Sequence, residues 1–364
     1  MITTVLIQAV LAGLVLFSVI NFAAFHTWLE RKQSAVMQDR IGANRATIFG
    51  VKALGLFHPL ADAIKMFTKE DHIPARGDKL LHTLAPFLSM MFALVSFAAI
   101  PFGDILRIGG REIPLQVAPV NVGLLYVFAM MSMGVYGVIL AGFSSNNNYA
   151  FLGSLRASSQ MLSYEITLGA TVLGLVMIYG TLDLQEMVRK QGDLLWGVIP
   201  KWGWIVQPVG LLLFLIAGIA ETKRIPYDMP EGESEIIGYF VEYSGMKFGM
   251  FYFADFLETI LIACLTTTLF FGGWQVPYLD RAGFYFPWVH GGYEPALLLP
   301  HGVVVLMQVS SFILKVCFFC WLFMTIRWTL PRFRYDQLMR LGWKMVFPIA
   351  LVNLFVTAAV LLIG

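Results

Sequence analysis

Residues 220–243 read AETKRIPYDMPEGESEIIGYFVEY. The stretch carries Glu221, Asp228, Glu231, Glu233, Glu235 and Glu242 against Lys223 and Arg224, and long apolar runs close it on both sides. Six of the 23 carboxylates of the chain thus gather between hydrophobic segments, in a sequence of 364 residues that is 58% hydrophobic and 13% charged. A soluble domain has about 45–50% apolar and about 25% charged residues. The composition is that of a polytopic membrane protein, and the acidic stretch is an interruption of it.

A window of about 20 predominantly apolar residues, without the charges an aqueous helix face would need, crosses a hydrocarbon core of about 30 Å. Eight such windows occur, near 5–29, 82–103, 119–142, 161–181, 204–220, 251–273, 301–326 and 345–363. The expected fold is all-α: eight transmembrane helices in a single membrane domain over 1–364, with amphipathic interfacial helices in the cytoplasmic connections 30–81 and 221–250. The first window lacks a basic leader and a small-residue cleavage site and runs into LERKQSA, which predicts a retained helix. The loops on one side hold eighteen Lys and Arg and the opposite loops six. By the positive-inside rule the richer side faces the cytoplasm, so both termini are expected on the periplasmic side.

A net charge of +2 with no separate basic surface argues against a nucleic-acid partner. Cys317 and Cys320 share a helical face but have no nearby His or further Cys to complete a zinc or iron–sulfur site, and the six histidines offer no evident haem pair. No metal is expected.

In the connection 30–81, Leu56, Leu60, Ile64 and Phe67 recur at helical spacing while Asp62, Lys65 and Lys69 occupy other positions. This predicts an amphipathic helix, either a cover over the ends of other spans or the wall of a cavity that opens to the membrane. Glu30, Arg31 and Lys32 end the first span, and Asp39, Arg40 and Arg45 follow in QDRIGANR. Such charges either anchor the chain to headgroups or bind a polar head whose apolar tail stays in the bilayer.

Glu231, Glu235 and Glu242 share one face if their segment is helical, and like charges so placed favour retention of a proton. Glu165, Asp255, Glu258 and Lys315 fall inside spans. A lone ion there costs roughly 2.5–3.5 kcal/mol on insertion scales, so these groups should face one another or a hydrated interior. That pattern suits proton exchange, and equally ion pairs that specify helix packing.

Several separated segments resemble one family: ERK at 30–32, QDRIGANR at 38–45, ADAIKMFTKE at 61–70, LGSLRASSQMLSYE at 152–165, AETKRIPYDMPEGESE at 220–235, EYSGMKF at 242–248 and RWTLPRFRYDQLMRLGWK at 327–344. The chain resembles, over essentially its whole length, the membrane subunit that joins the two arms of respiratory complex I, known as the H-type subunit in bacteria and as NADH dehydrogenase subunit 1 in mitochondria. The resemblance implies part of a proton-translocating NADH:quinone oxidoreductase in a bacterial plasma membrane. Quinone is then the substrate, and NADH, FMN and iron–sulfur clusters are held by partner subunits. Implied partners are the hydrophilic-arm subunits beside the quinone site, the small and antiporter-like membrane-arm subunits, and membrane lipids. The resemblance places Arg31, Arg40, Asp62, Lys65, Glu231 and Glu233 at the quinone chamber. It places Glu165, Glu221, Asp228, Glu235, Glu242 and Asp255 on the path that couples it to protons.

The sequence departs from the family pattern at Ala43, where proline is common, His58 for glutamine, Lys223 for asparagine and Asp255 for glutamate. Related membrane subunits of hydrogenases and of dehydrogenases using ferredoxin or another carrier are the main alternative, against which the intact QDRIGANR and PEGESE segments weigh. A secondary transporter would show inverted repeats and matched broken spans, and none is evident.

Overall fold

Backbone amides in hydrocarbon find partners only within a helix or a closed barrel, so each long apolar run becomes a helix. The computed structural model describes residues 2–108, 110–230, 236, 238–285 and 297–363. Its helices are α1 (Ile2–Met37), α2 (His58–Thr68), α3 (Lys79–Ser96), α4 (Gly123–Ser144), α5 (Asn148–Tyr179), α6 (Leu184–Gln191), α7 (Gly203–Val206), α8 (Pro208–Glu221), α9 (Gly245–Phe270), α10 (His301–Thr329), α11 (Tyr335–Leu341) and α12 (Phe347–Ile363). A π-helical turn, Gly342–Val346, joins α11 to α12, and the three form one rod of 29 residues. Pro348 has no N–H and crowds the carbonyl of the preceding turn, and the π turn just before it absorbs the mismatch.

Among the described residues seven helices are long and apolar enough to cross a membrane. The expected span 204–220 falls short of that length. Pro208 disfavours helical backbone at the residue before it; Gln207 is non-helical (φ −140°, ψ 65°), and the segment divides into the four-residue α7 and the 14-residue α8. At 1.5 Å per residue α8 is about 21 Å long.

Helix ends follow local chemistry. Asp78 accepts hydrogen bonds from the amides of Leu80 and Leu81 to start α3, and Asn147 accepts from Tyr149 to start α5. Gly180 ends α5 in left-handed backbone (φ +64°), which costs glycine little. The bundle is wrapped around α9, whose most apolar window is 72% buried against 17% for α1 and 11% for the C-terminal rod. α3, α8, α10 and α1 pack on α9, while α4, α5 and α12 continue the layer.

The chain is not wholly helical, because short antiparallel strands close the connections on the side with fewer basic residues: Ile105–Ile108 with Arg111–Pro114, Leu194–Leu195 with Ile199–Pro200, and Leu279–Asp280 with Gly283–Phe284 and Leu297–Leu298. Asp104 ties three of these connections together. Its carboxylate accepts from Arg189 at 2.8 Å, from Arg281 at 2.7 Å and from Gln185 at 3.4 Å, and its side chain is 5% exposed.

Asp104→Ala removes the carboxylate shared by two guanidiniums and is expected to cost about 2 kcal/mol, read as a lower unfolding temperature of the purified protein in detergent. Burial alone raises this carboxyl, but Arg281 and Arg189 outweigh it and hold it below the usual carboxylate range. The stabilisation is therefore complete above the unfolded value of about 4 and is lost as pH falls through the lower folded value. The difference between wild type and Asp104→Ala should be constant near neutrality and vanish in strong acid; a difference that grows on acidification contradicts the assignment.

Candidate functional site

α1 emerges on the basic-rich side with two adjacent charges that point in different directions. Arg31 reaches α2, where Asp62 Oδ2 meets its Nη2 at 2.5 Å and Asp62 Oδ1 accepts from Lys65 Nζ at 3.0 Å. Burial raises the Asp62 carboxyl, and hydrogen bonds and charge from Lys65 and Arg31 more than compensate, holding it below the usual range. α2 packs on α1 and α9 yet leaves Leu60, Ile64 and Phe67 exposed. This is the amphipathic helix expected from the spacing.

Glu30 turns inward. It is 7% exposed, it pairs with Arg224 at 3.1 Å and it also pairs with Arg327. Arg224 stacks over the ring of Phe256 at 4.0 Å. His26, one turn earlier on α1, is buried and meets Phe256 edge-on at 5.4 Å. Among the described residues Glu30 is thus shared by two guanidiniums, as Asp62 is shared by Arg31 and Lys65.

The segment after α8 leaves helical geometry while still buried, so its carbonyls need donors. Gln160 of α5 supplies them: its Nε2 donates to the carbonyls of Ala220 at 2.6 Å and Tyr227 at 2.7 Å. Tyr227 stacks between Tyr164 and Phe333, and Asp228, 1% exposed, accepts from Arg332 at 2.7 Å.

A second group of carboxylates lies deeper. Glu165 accepts a short hydrogen bond from the Ser132 hydroxyl. Glu221, 1% exposed, has no hydrogen-bond partner on either oxygen among the described residues, and it shares with Glu258 the wall of a cavity of about 10 Å³, close to the volume one water needs. Lys223 Nζ lies 2.9 Å from Asp255 Oδ1 and 3.4 Å from Glu258 Oε2. These are ion pairs by distance that lack the alignment of hydrogen bonds. Glu258 stands thirteen residues beyond Gly245 in a helix of 26 residues, about 20 Å along its axis and half-way through it.

The structure therefore brings together Arg31, Asp62 and Lys65, and separately Glu165, Glu221 and Asp255. Asp228 pairs with Arg332. Glu242 is half-buried and accepts from Asn147 at 2.6 Å. Arg40 is exposed and bonds to Gln38, away from Asp62. Glu231, Glu233 and Glu235 lie outside the described residues. Lys315, which sequence reasoning grouped with the buried acids, is committed elsewhere: its Nζ donates to the carbonyls of Phe271, Gly273 and Gln275 at 2.8, 3.0 and 2.6 Å and caps the far end of α9. Sequence reasoning missed Arg224, Arg327, Arg332 and Gln160 as members; it counted Glu258 among the acids inside spans but carried neither it nor Lys223 into the coupling path. Asp255 and Glu258 three apart on one helix were a visible signal; nothing in the spacing of Arg327 or Arg332 indicated a partner. Among the described residues no group of three or more His, Cys, Asp or Glu is placed to hold a metal.

Comparison with known proteins matches residues 9–358 to a family model described as NADH dehydrogenase. An H-type subunit of NADH-quinone oxidoreductase from Cytophaga hutchinsonii is 43% identical over 342 residues, 94% of this chain and 92% of that protein. The H-type subunit of the same enzyme from Thermomicrobium roseum is 43% identical over 364 residues, 99% of this chain and 97% of its own. The corresponding protein of Flavobacterium johnsoniae is 41% identical over 343 residues, covering 93% and 91%.

Glu30→Ala removes a buried carboxylate shared by Arg224 and Arg327 and should cost about 3–5 kcal/mol, seen as a large fall in folded protein recovered from membranes. Glu30→Ala combined with Arg327→Met removes one of those two charges and should recover part of that loss. Equal recovery of wild type and Glu30→Ala would contradict a buried, charge-sharing role for Glu30.

Proposed function

The chain belongs to the family of H-type membrane subunits of NADH-quinone oxidoreductase, and from that membership we propose how its inner face links quinone to protons. It is a membrane subunit of that enzyme, at the junction of the two arms, forming part of the quinone and proton path. The names of its relatives favour quinone as acceptor over a hydrogenase or ferredoxin-type complex. Arg31, Asp62 and Lys65, with Arg40 on the exposed rim and Glu231 and Glu233, form the mouth and wall of a chamber for the quinone head, while the exposed apolar face of α2 guides the tail from the bilayer. Glu165, Glu221 and Asp255 form the buried part of the proton path, with Asp228, Glu235 and Glu242 toward the inner surface.

The observation that carries this reading is the short segment 220–230. It has Glu221 in the deep row at one end, Arg224 in the cluster around Glu30 in the middle and Asp228 at the other end, with Glu221 and Asp228 buried and Arg224 partly so. A change of charge at the headgroup reaches the deep row through about ten residues of one connected backbone, and two sites so linked are coupled in both directions. The subunit itself binds and orients; NADH, FMN and iron–sulfur clusters lie in hydrophilic-arm partners, and antiporter-like subunits continue the path within the membrane arm.

α7 and α8 together supply the first part of an eighth crossing: they span 203–221, about 28 Å at helical rise, and run from the outer end of α5 to the deep row where Glu221 meets Glu258, from which residues 222–230 continue to the inner side. With eight crossings in one membrane domain, the connections 30–81 and 221–250 are cytoplasmic and both termini periplasmic, in a bacterial plasma membrane.

Asp62→Asn loosens the hold on Arg31 and Lys65 and should raise KM for a short-chain quinone about fivefold, equivalent to about 1 kcal/mol, with electron transfer from NADH to ferricyanide in the hydrophilic arm retained. An unchanged KM in the assembled enzyme would remove Asp62 from the chamber. Glu221→Gln keeps shape and removes an exchangeable charge; proton uptake per NADH in proteoliposomes should fall together with quinone reduction. Unchanged uptake at unchanged turnover would remove Glu221 from the path.

A further inference from the structure

Lys223 stands inside the acidic row in backbone that side chains seldom adopt. It follows the end of α8 with φ +54°, a left-handed conformation that is unfavourable for a non-glycine residue. The result is an ammonium on a side chain 2% exposed, 2.9 Å from Asp255 and 3.4 Å from Glu258. Asp255 and Glu258 present their carboxylates to one point, and without a cation each would push the other toward its protonated form.

The surrounding charges define what the lysine does. α9 contributes Asp255 and Glu258; α8 ends in Glu221; Glu165 of α5 lies behind Glu221; Tyr239 and Arg224 complete the set of titratable or charged neighbours. Arg224 is engaged with Glu30. One ammonium against Asp255 and Glu258 leaves a net charge of −1, and ionising Glu221 and Glu165 as well would bring the enclosed row to −3. Among the described residues Glu221 has no hydrogen-bond donor on either oxygen to stabilise such a charge.

We propose that Lys223 is the positioning cation of the acidic row, its ammonium keeping Asp255 and Glu258 ionised together so that the exchangeable proton resides on Glu221 and Glu165. This rests on the reading of Glu165, Glu221 and Asp255 as a proton path, and it adds a residue that the path reading does not require. The ammonium is held by charge more than by aligned hydrogen bonds, so it can shift its weight between the two carboxylates as the proton on Glu221 comes and goes.

The test is the pH profile of NADH-driven quinone reduction by the purified complex carrying the wild-type chain, Lys223→Asn, Lys223→Arg, or Lys223→Asn with Glu258→Gln. Asparagine tolerates left-handed backbone, so the first variant removes charge with little backbone penalty. Loss of the cation raises the apparent proton affinity of the coupled set, and the acid limb of the profile should move to higher pH by about one unit. Lys223→Arg should leave the limb in place, and the charge-balanced double variant should return it. A merely structural lysine would lower the rate across the profile without moving the limb, and that result in an assembled Lys223→Asn complex overturns the proposal. If Lys223→Asn fails to assemble, the double variant decides: assembly with a limb near the wild-type position supports the proposal, and failure to assemble overturns it. Glu221→Gln in the same preparations separates the two readings. If it stops proton uptake while the Lys223→Asn limb stays put, the path stands and the role of Lys223 falls. If it leaves uptake unchanged, the path falls, and a shifted Lys223→Asn limb still supports the charge placement.

Discussion

Gln160 makes the rest of the site possible. A backbone that leaves helical geometry away from water exposes carbonyls that must be paired, at a cost of about 1–3 kcal/mol for each left unmet. One amide on α5 meets the carbonyls of Ala220 and Tyr227 and so holds the two ends of a tight, enclosed turn. Everything the turn presents depends on that: Glu221 and Lys223 reach the deep row, Arg224 reaches Glu30, and Asp228 reaches Arg332.

Charge pairing then distributes the ions. Arg327 and Arg332 come from the end of α10 and the connection after it, and each meets an acid brought from far away in the chain, Glu30 and Asp228. These contacts join α1, the turn after α8 and α10 on one face. Truncating one partner leaves a buried charge uncompensated, which is why the ion pairs act more as constraints on arrangement than as sources of net stability.

Hydropathy made the long helices legible, because a hydrocarbon environment leaves few alternatives for a run of 20 apolar residues. It overstated 204–220, where Pro208 divides the run in a way that average apolarity does not register. It also passed over the short strands in the connections with fewer basic residues, whose two- to four-residue pairings leave little periodicity to detect. In the site, the acids inside spans were legible from the cost of burying them, and Arg31 with Asp62 from helical spacing and resemblance. Lys315 was misread with the acids, because sequence places it at mid-span without revealing that the carbonyls ending α9 fold back to meet it. Gln160 gave no signal, since an uncharged amide on a helix looks the same whether it serves two carbonyls or none.

The position of Glu258 half-way along α9 has an electrical consequence. A membrane potential of 100 mV is worth about 2.3 kcal/mol for one charge moved across the whole bilayer, so a proton travelling from the inner surface to the depth of Glu258 and Glu221 crosses about half of that field. The work is roughly 1.2 kcal/mol per 100 mV, close to one unit of proton affinity. An energised membrane, negative inside, therefore weakens the hold of the row on protons drawn from the inner side. Under the proposed proton path, loading of the row from that side is throttled by the voltage across the membrane, a brake set by depth alone.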